Sequence, residues 1–119
     1  MTQVKDMIDE KLDFALAEQL GWVNAWDGVR LVWLDGKTNE FRRKVTGWHP
    51  STDPAASLEV QAKALELNYK AYIDHLDEFV NTDELTICSE PSYRAIASLL
   101  LASPRERAEA AYITLQQKE

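Results

Sequence analysis

The chain has two histidines, His49 and His75, and these are the first residues to consider for chemistry. His75 lies in the run DHLDE at 74–78, with carboxylates on both sides. On a helix the three acids of this run would share a face, and the imidazole would point roughly 100° away from the aspartate before it. Zinc normally takes three or four spaced ligands, and the sequence offers no such set. We therefore predict no metal site.

No other motif of the sequence is typical of catalysis. There is no glycine-rich phosphate loop, no G-x-S-x-G motif and no cysteine–histidine pair with an orienting group. The four glycines fall at turns or helix ends, which leaves none for a flexible catalytic loop. The sequence therefore predicts that the protein is not an enzyme, has no catalytic residues and binds no cofactor.

The segment GWHPSTDPAAS at 47–57 concentrates rare residue types and raises the question of a binding loop. Most of it is explained as a junction between a strand and a helix. Pro50 ends the strand, Pro54 suits the first turn of a helix, and Asp53 or the threonine before it can cap that helix. Trp48 and His49 remain, the first as a cover on the core edge and the second as a surface residue. A role in reading a ligand is the alternative for both.

A basic stretch, EFRRKV at 40–45, is the best candidate for a ligand site. Along a strand Arg42 and Lys44 would share a face, with Trp33 or Trp48 nearby. A guanidinium beside an indole can hold a nucleotide-like anion through phosphate pairing and stacking. We therefore predict Arg42, Lys44, Trp48 and His49 as ligand-binding residues. The alternative is that the basic residues protect an exposed strand edge from aggregation.

Acidic residues near the start of the chain form the second candidate surface. The chain carries a net charge of −7, which disfavours sequence-independent binding to duplex nucleic acid. An acidic face is suited either to solubility or to a basic partner. Asp6, Glu10 and Asp13 would share an exposed face of the first helix, opposite its apolar stripe. We predict that Asp9, Glu10 and Asp13 bind a partner.

The elements that position these residues can be predicted from periodicity. Apolar residues at helical spacing predict an amphipathic helix over 3–20, capped by Thr2 and ended by Gly21. Two Asp-Gly pairs then predict a meander of three strands. Its expected strands are Trp22–Trp26, Val29–Leu34 and Glu40–Thr46.

Helix is predicted again from about residue 54, while residues 70–80 fit either a helix or strand ends. DELTICSE at 83–90 is typical of a short strand, and Pro91 is expected to open the next helix. The sequence SPRE at 103–106 is a capping box for the last helix. The prediction is one α+β domain over 1–119, in which a small antiparallel sheet with Asp-Gly hairpins is packed by about four helices.

Three stretches carry a resemblance to a known family. KLDFALAEQLGW at 11–22, HPSTDPAASLEV at 49–60 and SPRERAEAAYITL at 103–115 resemble motifs of small bacteriophage proteins of the ABA-sandwich domain family. The resemblance covers about half of the chain. It departs from the family at Ser57-Leu58, where an aromatic residue is usual, and in the missing tyrosine before Ser-Thr-Asp. It implies an α/β sandwich encoded by a phage or prophage, and it brings no catalytic residues or cofactor.

The resemblance leads us to expect a non-enzymatic accessory protein. Such a protein would bind a host protein or protein complex and inhibit a bacterial defence system, in the manner of an anti-CRISPR. One alternative is binding of a nucleotide or cyclic-nucleotide signal through the basic hairpin. A further alternative is an uncharacterised enzyme or a structural phage component.

The remaining expectations concern location and assembly. A single cysteine, Cys88, fits the reducing cytoplasm of the bacterial host, and no apolar run is long enough to span a membrane. Four tryptophans in a domain of this size suggest an apolar patch outside the core, which favours a homo-oligomer.

Overall fold

The computed structural model describes residues 4–81 and 93–116. The Thr2 cap, the strand expected at 83–90, Cys88 and the start of a helix at Pro91 lie outside these residues. Short 3₁₀ turns at Val4–Asp6 and Val45–Gly47 accompany the main elements. These are α1 (Asp9–Gln19), β1 (Trp22–Trp26), β2 (Leu31–Asp35), β3 (Phe41–Lys44), α2 (Pro54–Val80), α3 (Tyr93–Leu100) and α4 (Pro104–Gln116).

The architecture confirms the predicted α+β class. Three strands form an antiparallel sheet in the order β1-β2-β3, and four helices pack with it. The most extensive contact between helices is that of α2 with α4, while α1 packs on α4 and also contacts β1. Buried alanines and leucines of the helices meet Trp22, Trp33 and Trp48 in one apolar cluster. None of the described helices has the length and apolar character needed to cross a bilayer.

The first helix is shorter than predicted. It begins at Asp9 because the backbone of Ile8 is extended, with φ −69° and ψ 155°, and Val4–Asp6 forms only a 3₁₀ turn. Its end agrees with the prediction. Gly21 has φ +86°, the left-handed conformation that glycine adopts without strain, and its N–H donates to the carbonyl of Glu18 over 3.0 Å.

Both Asp-Gly pairs lie at hairpin turns, as predicted, but the loops are longer than two residues. Trp26 pairs with Leu31 across the first hairpin, so its loop spans 27–30. In that loop the Asp27 carboxylate accepts the N–H groups of Val29 and Arg30. The Asp35 carboxylate likewise accepts two backbone N–H groups of the second loop, which spans 36–40. The aspartates therefore shape these turns through side-chain hydrogen bonds.

An irregular register in β3 changes the faces that its side chains occupy. Trp33 pairs with Arg43, but the next residue, Leu34, pairs with Phe41. Arg42 is therefore the extra residue of a β-bulge, which breaks the alternation of side chains between the two faces.

The long helix α2 resolves the ambiguity at residues 70–80, which are helical. Asp53 caps its start by accepting the Ala56 N–H over 3.4 Å, as predicted. The helix bends at Asn68, whose backbone leaves the helical region at φ −160° and ψ 85°. The Asn68 side chain accepts the Ala71 N–H over 3.1 Å and so caps the second half of the helix.

Candidate functional site

A pocket of about 320 Å³ opens between α1, β2 and the segment that follows β3. Helix α1 contributes Glu10, Asp13 and Phe14, which lie on one face because they are three and four residues apart. The other side is formed by Trp33 and four residues of the strand-to-helix junction. These four residues are Val45, Thr46, Trp48 and His49.

Burial divides the lining residues into a floor and a rim. Asp13, Trp33 and Trp48 are 7%, 2% and 3% exposed and form the floor. Glu10 and His49 are exposed at the rim. The pocket therefore joins members of both predicted sets, Trp48 and His49 from the ligand set and Glu10 and Asp13 from the partner set.

Asp13 connects helix α1 to the junction. Its Oδ1 accepts the backbone N–H of Ser51 over 2.8 Å, and its Oδ2 lies 3.5 Å from Nδ1 of His49. Burial raises the pKa of the Asp13 carboxyl above its ordinary 3.8, although the Ser51 hydrogen bond and His49 oppose this shift. The prediction that Asp13 lies on an exposed acidic face is wrong. Asp13 precedes Leu16 and Ala17 by one helical turn, and both of these are buried.

The Asp13–His49 pair lacks the arrangement of a catalytic dyad. Nε2 of His49 lies 2.7 Å from the carbonyl oxygen of Thr46. A carbonyl oxygen only accepts, so this nitrogen donates its hydrogen there. A general base in a triad would instead face a nucleophile. The hydrogen bond from the Ser51 N–H to Asp13 ties the junction to α1, and His49 lies beside it.

Trp48 is held in the floor by contacts on two sides. Its Nε1–H donates to Oε1 of Glu59 over 2.9 Å, and the same carboxylate pairs with Arg43 at 3.2 Å through Oε2. Its ring packs against Trp22 with centroids 4.7 Å apart. Trp48 thus covers the core edge, as predicted, and His49 is a surface residue, with 46% of its side chain exposed.

The two remaining acids of the predicted partner set differ from Asp13. Asp9 is exposed but pairs with Arg105 at 2.6 Å, a bond that joins α1 to α4. Arg105 also pairs with Glu109 at 2.9 Å. Glu10 is exposed, and within residues 4–81 and 93–116 no basic side chain forms an ion pair with it. Glu10 is therefore the carboxylate of this set that remains open to a partner.

The structure does not gather the four predicted ligand residues into one site. Arg42 donates to Asp35 over 2.7 Å and lines a separate cleft of about 220 Å³ that Arg43 and Glu59 also line. Lys44 pairs with Val32, and Val32 precedes Trp33 in β2. The side chains of Lys44 and Val32 therefore point to the face of the sheet opposite Trp33. The bulge at Arg42 separates Arg42 from Lys44, because it interrupts the alternation of side chains between the two faces on which the prediction rested.

Four pocket residues were not among the predicted site residues, namely Phe14, Trp33, Val45 and Thr46, although Trp33 was one of the two tryptophans expected near the basic strand. Phe14 could have been found, since it lies four residues after Glu10 on the same helix face. The other three come from distant segments, and no local signal joins them to α1.

Within the part of the chain that the structure describes, no group of three or more histidine, cysteine or acidic side chains could hold a metal ion. Comparisons of the chain with protein-family models, with curated proteins and with solved structures found no match.

Proposed function

We propose that this chain is a non-enzymatic interaction protein that uses the pocket and the Glu10 carboxylate at its rim to bind a basic surface of a partner protein. The observation that carries the proposal is the composition of the pocket. It combines two carboxylates with the rings of two tryptophans and a phenylalanine and the imidazole of His49, and no lysine or arginine is among the described residues that line it. Its fixed charges therefore attract cations.

The overall charge of the chain supports the same partner class. At a net charge of −7, the long-range field attracts basic proteins and speeds their encounter with this surface. The resemblance to bacteriophage proteins makes a bacterial protein, including a component of a defence system, the first partner to seek.

The geometry favours this proposal over binding of a nucleotide. The cations predicted for that role are either paired with carboxylates, as Arg42 is with Asp35, or placed on the other face of the sheet, as Lys44 is. A phosphate in the pocket of Trp48 and His49 would instead lie beside Glu10 and Asp13.

Affinity capture from a bacterial lysate, read out by quantitative mass spectrometry, tests the proposal. The informative variant is Glu10→Lys, because Glu10 is exposed and has no ion-pair partner among the described residues. Reversing all three acids would be a poor test, since Asp13 is buried and Asp9 holds Arg105. We expect Glu10→Lys to lose the main captured protein, and we expect that protein to be basic.

A matched control is Glu78→Lys, which makes the same change at an exposed acid near the end of α2. It should capture as the wild type does. Equal capture by both variants would contradict the proposal, and so would an acidic protein as the main partner. Circular dichroism of both variants checks that the fold is kept.

A further inference from the structure

We infer that the pocket receives a single cationic side chain, that is, the ammonium or guanidinium group of a lysine or arginine of the partner. This inference rests on the proposed function and specifies its chemistry. The cation would sit between the Glu10 carboxylate at the rim and the aromatic floor of Trp33 and Trp48, with its methylene chain against Phe14.

The shape of the floor provides the first argument. The Phe14 ring meets Trp33 edge-on at a centroid distance of 4.6 Å, and Trp48 is fixed by Glu59 and Trp22. These rings are thus positioned before a ligand arrives, which lowers the cost of ordering on binding. Faces of tryptophan attract ammonium and guanidinium groups within about 6 Å of the ring centre.

The two carboxylates of the pocket differ in the contacts that they already make. Asp13 already accepts the Ser51 N–H and lies beside His49, so its oxygens are occupied within the fold. The Glu10 carboxylate has no ion-pair partner among the described residues and lies at the mouth of the pocket. A cation that enters can therefore pair with Glu10 without breaking an existing contact.

Size provides the third argument. At about 320 Å³, the pocket lies at the lower limit of ligand sites, which run from roughly 300 to 1,000 Å³. Such a space fits one extended side chain better than a nucleotide with its base, sugar and phosphates. A mixed lining of rings and methyl groups also suits the apolar stem that carries the charge of lysine or arginine.

The experiment is a titration of the ¹⁵N-labelled full chain followed by the indole N–H signals of its four tryptophans. The probes are the N-acetyl methylamides of lysine, arginine, norleucine and glutamate at matched ionic strength, with n-butylamine as a free amine. We expect the lysine and arginine probes to shift the signals of Trp33 and Trp48. Trp26, which is 64% exposed on the first hairpin, should not shift.

Two variants sharpen the result. Glu10→Gln should weaken the apparent affinity for the lysine probe about two- to fivefold, the loss expected when one exposed charge pair is removed. Glu78→Gln should leave it unchanged. Shifts with butylamine that exceed those with the lysine probe would overturn the inference in favour of a small amine as ligand.

Equal shifts with the norleucine probe would overturn the inference, because an apolar group would then suffice. Shifts with the glutamate probe, or no shift of Trp33 and Trp48 with any probe, would overturn it as well. In those cases the proposed function survives if Glu10→Lys still abolishes capture of a basic protein. If the lysine probe binds but capture does not depend on Glu10, the proposed function fails and the pocket chemistry stands.

Discussion

Asp13 is the residue whose environment most changes the interpretation of the acidic helix. It is buried, it bonds the backbone of Ser51, and it lies beside His49, 36 positions further along the chain. Burial raises its pKa in the folded chain above 3.8. Because the direction of this pKa shift is known, the change in stability on removing the charge of Asp13 should vary with pH in a predictable direction.

We expect Asp13→Asn to gain stability relative to the wild type as the pH rises from about 3 to about 6. The folded protein binds the Asp13 proton more tightly than the unfolded chain does. The contribution of Asp13 to stability is thus full below 3.8 and declines as the pH rises through the folded pKa. Urea unfolding of both proteins across this range measures the difference.

Asp35→Asn provides a control with the opposite sign. The Arg42 guanidinium holds the pKa of Asp35 well below its usual range, so the stability from Asp35 is present above 3.8 and is lost as the pH falls. The advantage of the wild type over this variant should shrink on acidification. The same slope for both variants would contradict the assignment of Asp13 as a carboxyl dominated by burial.

A second prediction at this scale concerns the hydrogen bond between Trp48 and Glu59. Trp48→Phe removes the indole N–H and part of the buried ring, so we expect a loss of about 1–3 kcal/mol in the free energy of unfolding. A double-mutant cycle with Glu59→Gln isolates the contact of 2.9 Å. A coupling energy near zero would show that the bond does not hold Trp48 in the floor.

At the scale of elements, helix ends and turns were the predictable part of the fold. Gly21, Asp53 and Ser103 act on groups within a few residues, so their roles follow from local sequence alone. The β-bulge at Arg42 was not predictable, since it depends on the register between two strands. The same holds for the pocket, which joins α1 to β2 and to the segment that follows β3.

The apolar pattern alone also left residues 70–80 undecided between helix and strand. Tyr72 and Leu76 are buried and lie four residues apart, which is the helical spacing. Neighbouring pairs of β-branched and aromatic residues gave an equal signal for strands. The packing of α2 along α4 favours the helix. This contact is part of the tertiary structure and could not be predicted from the local sequence.

The capping box of α4 gives a prediction at the element scale. Glu106 donates its backbone N–H to Oγ of Ser103 over 3.1 Å, and its side chain accepts the Ser103 N–H over 2.8 Å. We expect Ser103→Ala to lower the free energy of unfolding by about 1 kcal/mol, measured by urea denaturation.

Ser98→Ala is the matched control for this change. The Ser98 hydroxyl only bonds back to the Arg94 carbonyl within α3, a contact that does not stabilise a helix. Its replacement should alter stability far less than that of Ser103. Equal losses at the two positions would contradict the capping role.

At the scale of the whole molecule, the charge of −7 acts together with one local feature, the pocket with its open Glu10. The net charge attracts basic partners to every acidic surface, whereas a specific site makes binding depend on one acidic residue more than on the others. Salt screens the diffuse part over about 8–10 Å at physiological ionic strength. Whether the chain forms a homo-oligomer stays a prediction, for which light scattering is the measurement.

Binding of a lysine octapeptide, measured by titration calorimetry at about 0.15 M salt, tests the role of the pocket directly. We expect Glu10→Gln to weaken this binding at least twofold and Glu78→Gln to leave it unchanged within error. Equal affinities of the two variants would mean that the peptide senses only net charge. That result would contradict the claim that the pocket beside α1 is a site for cationic side chains.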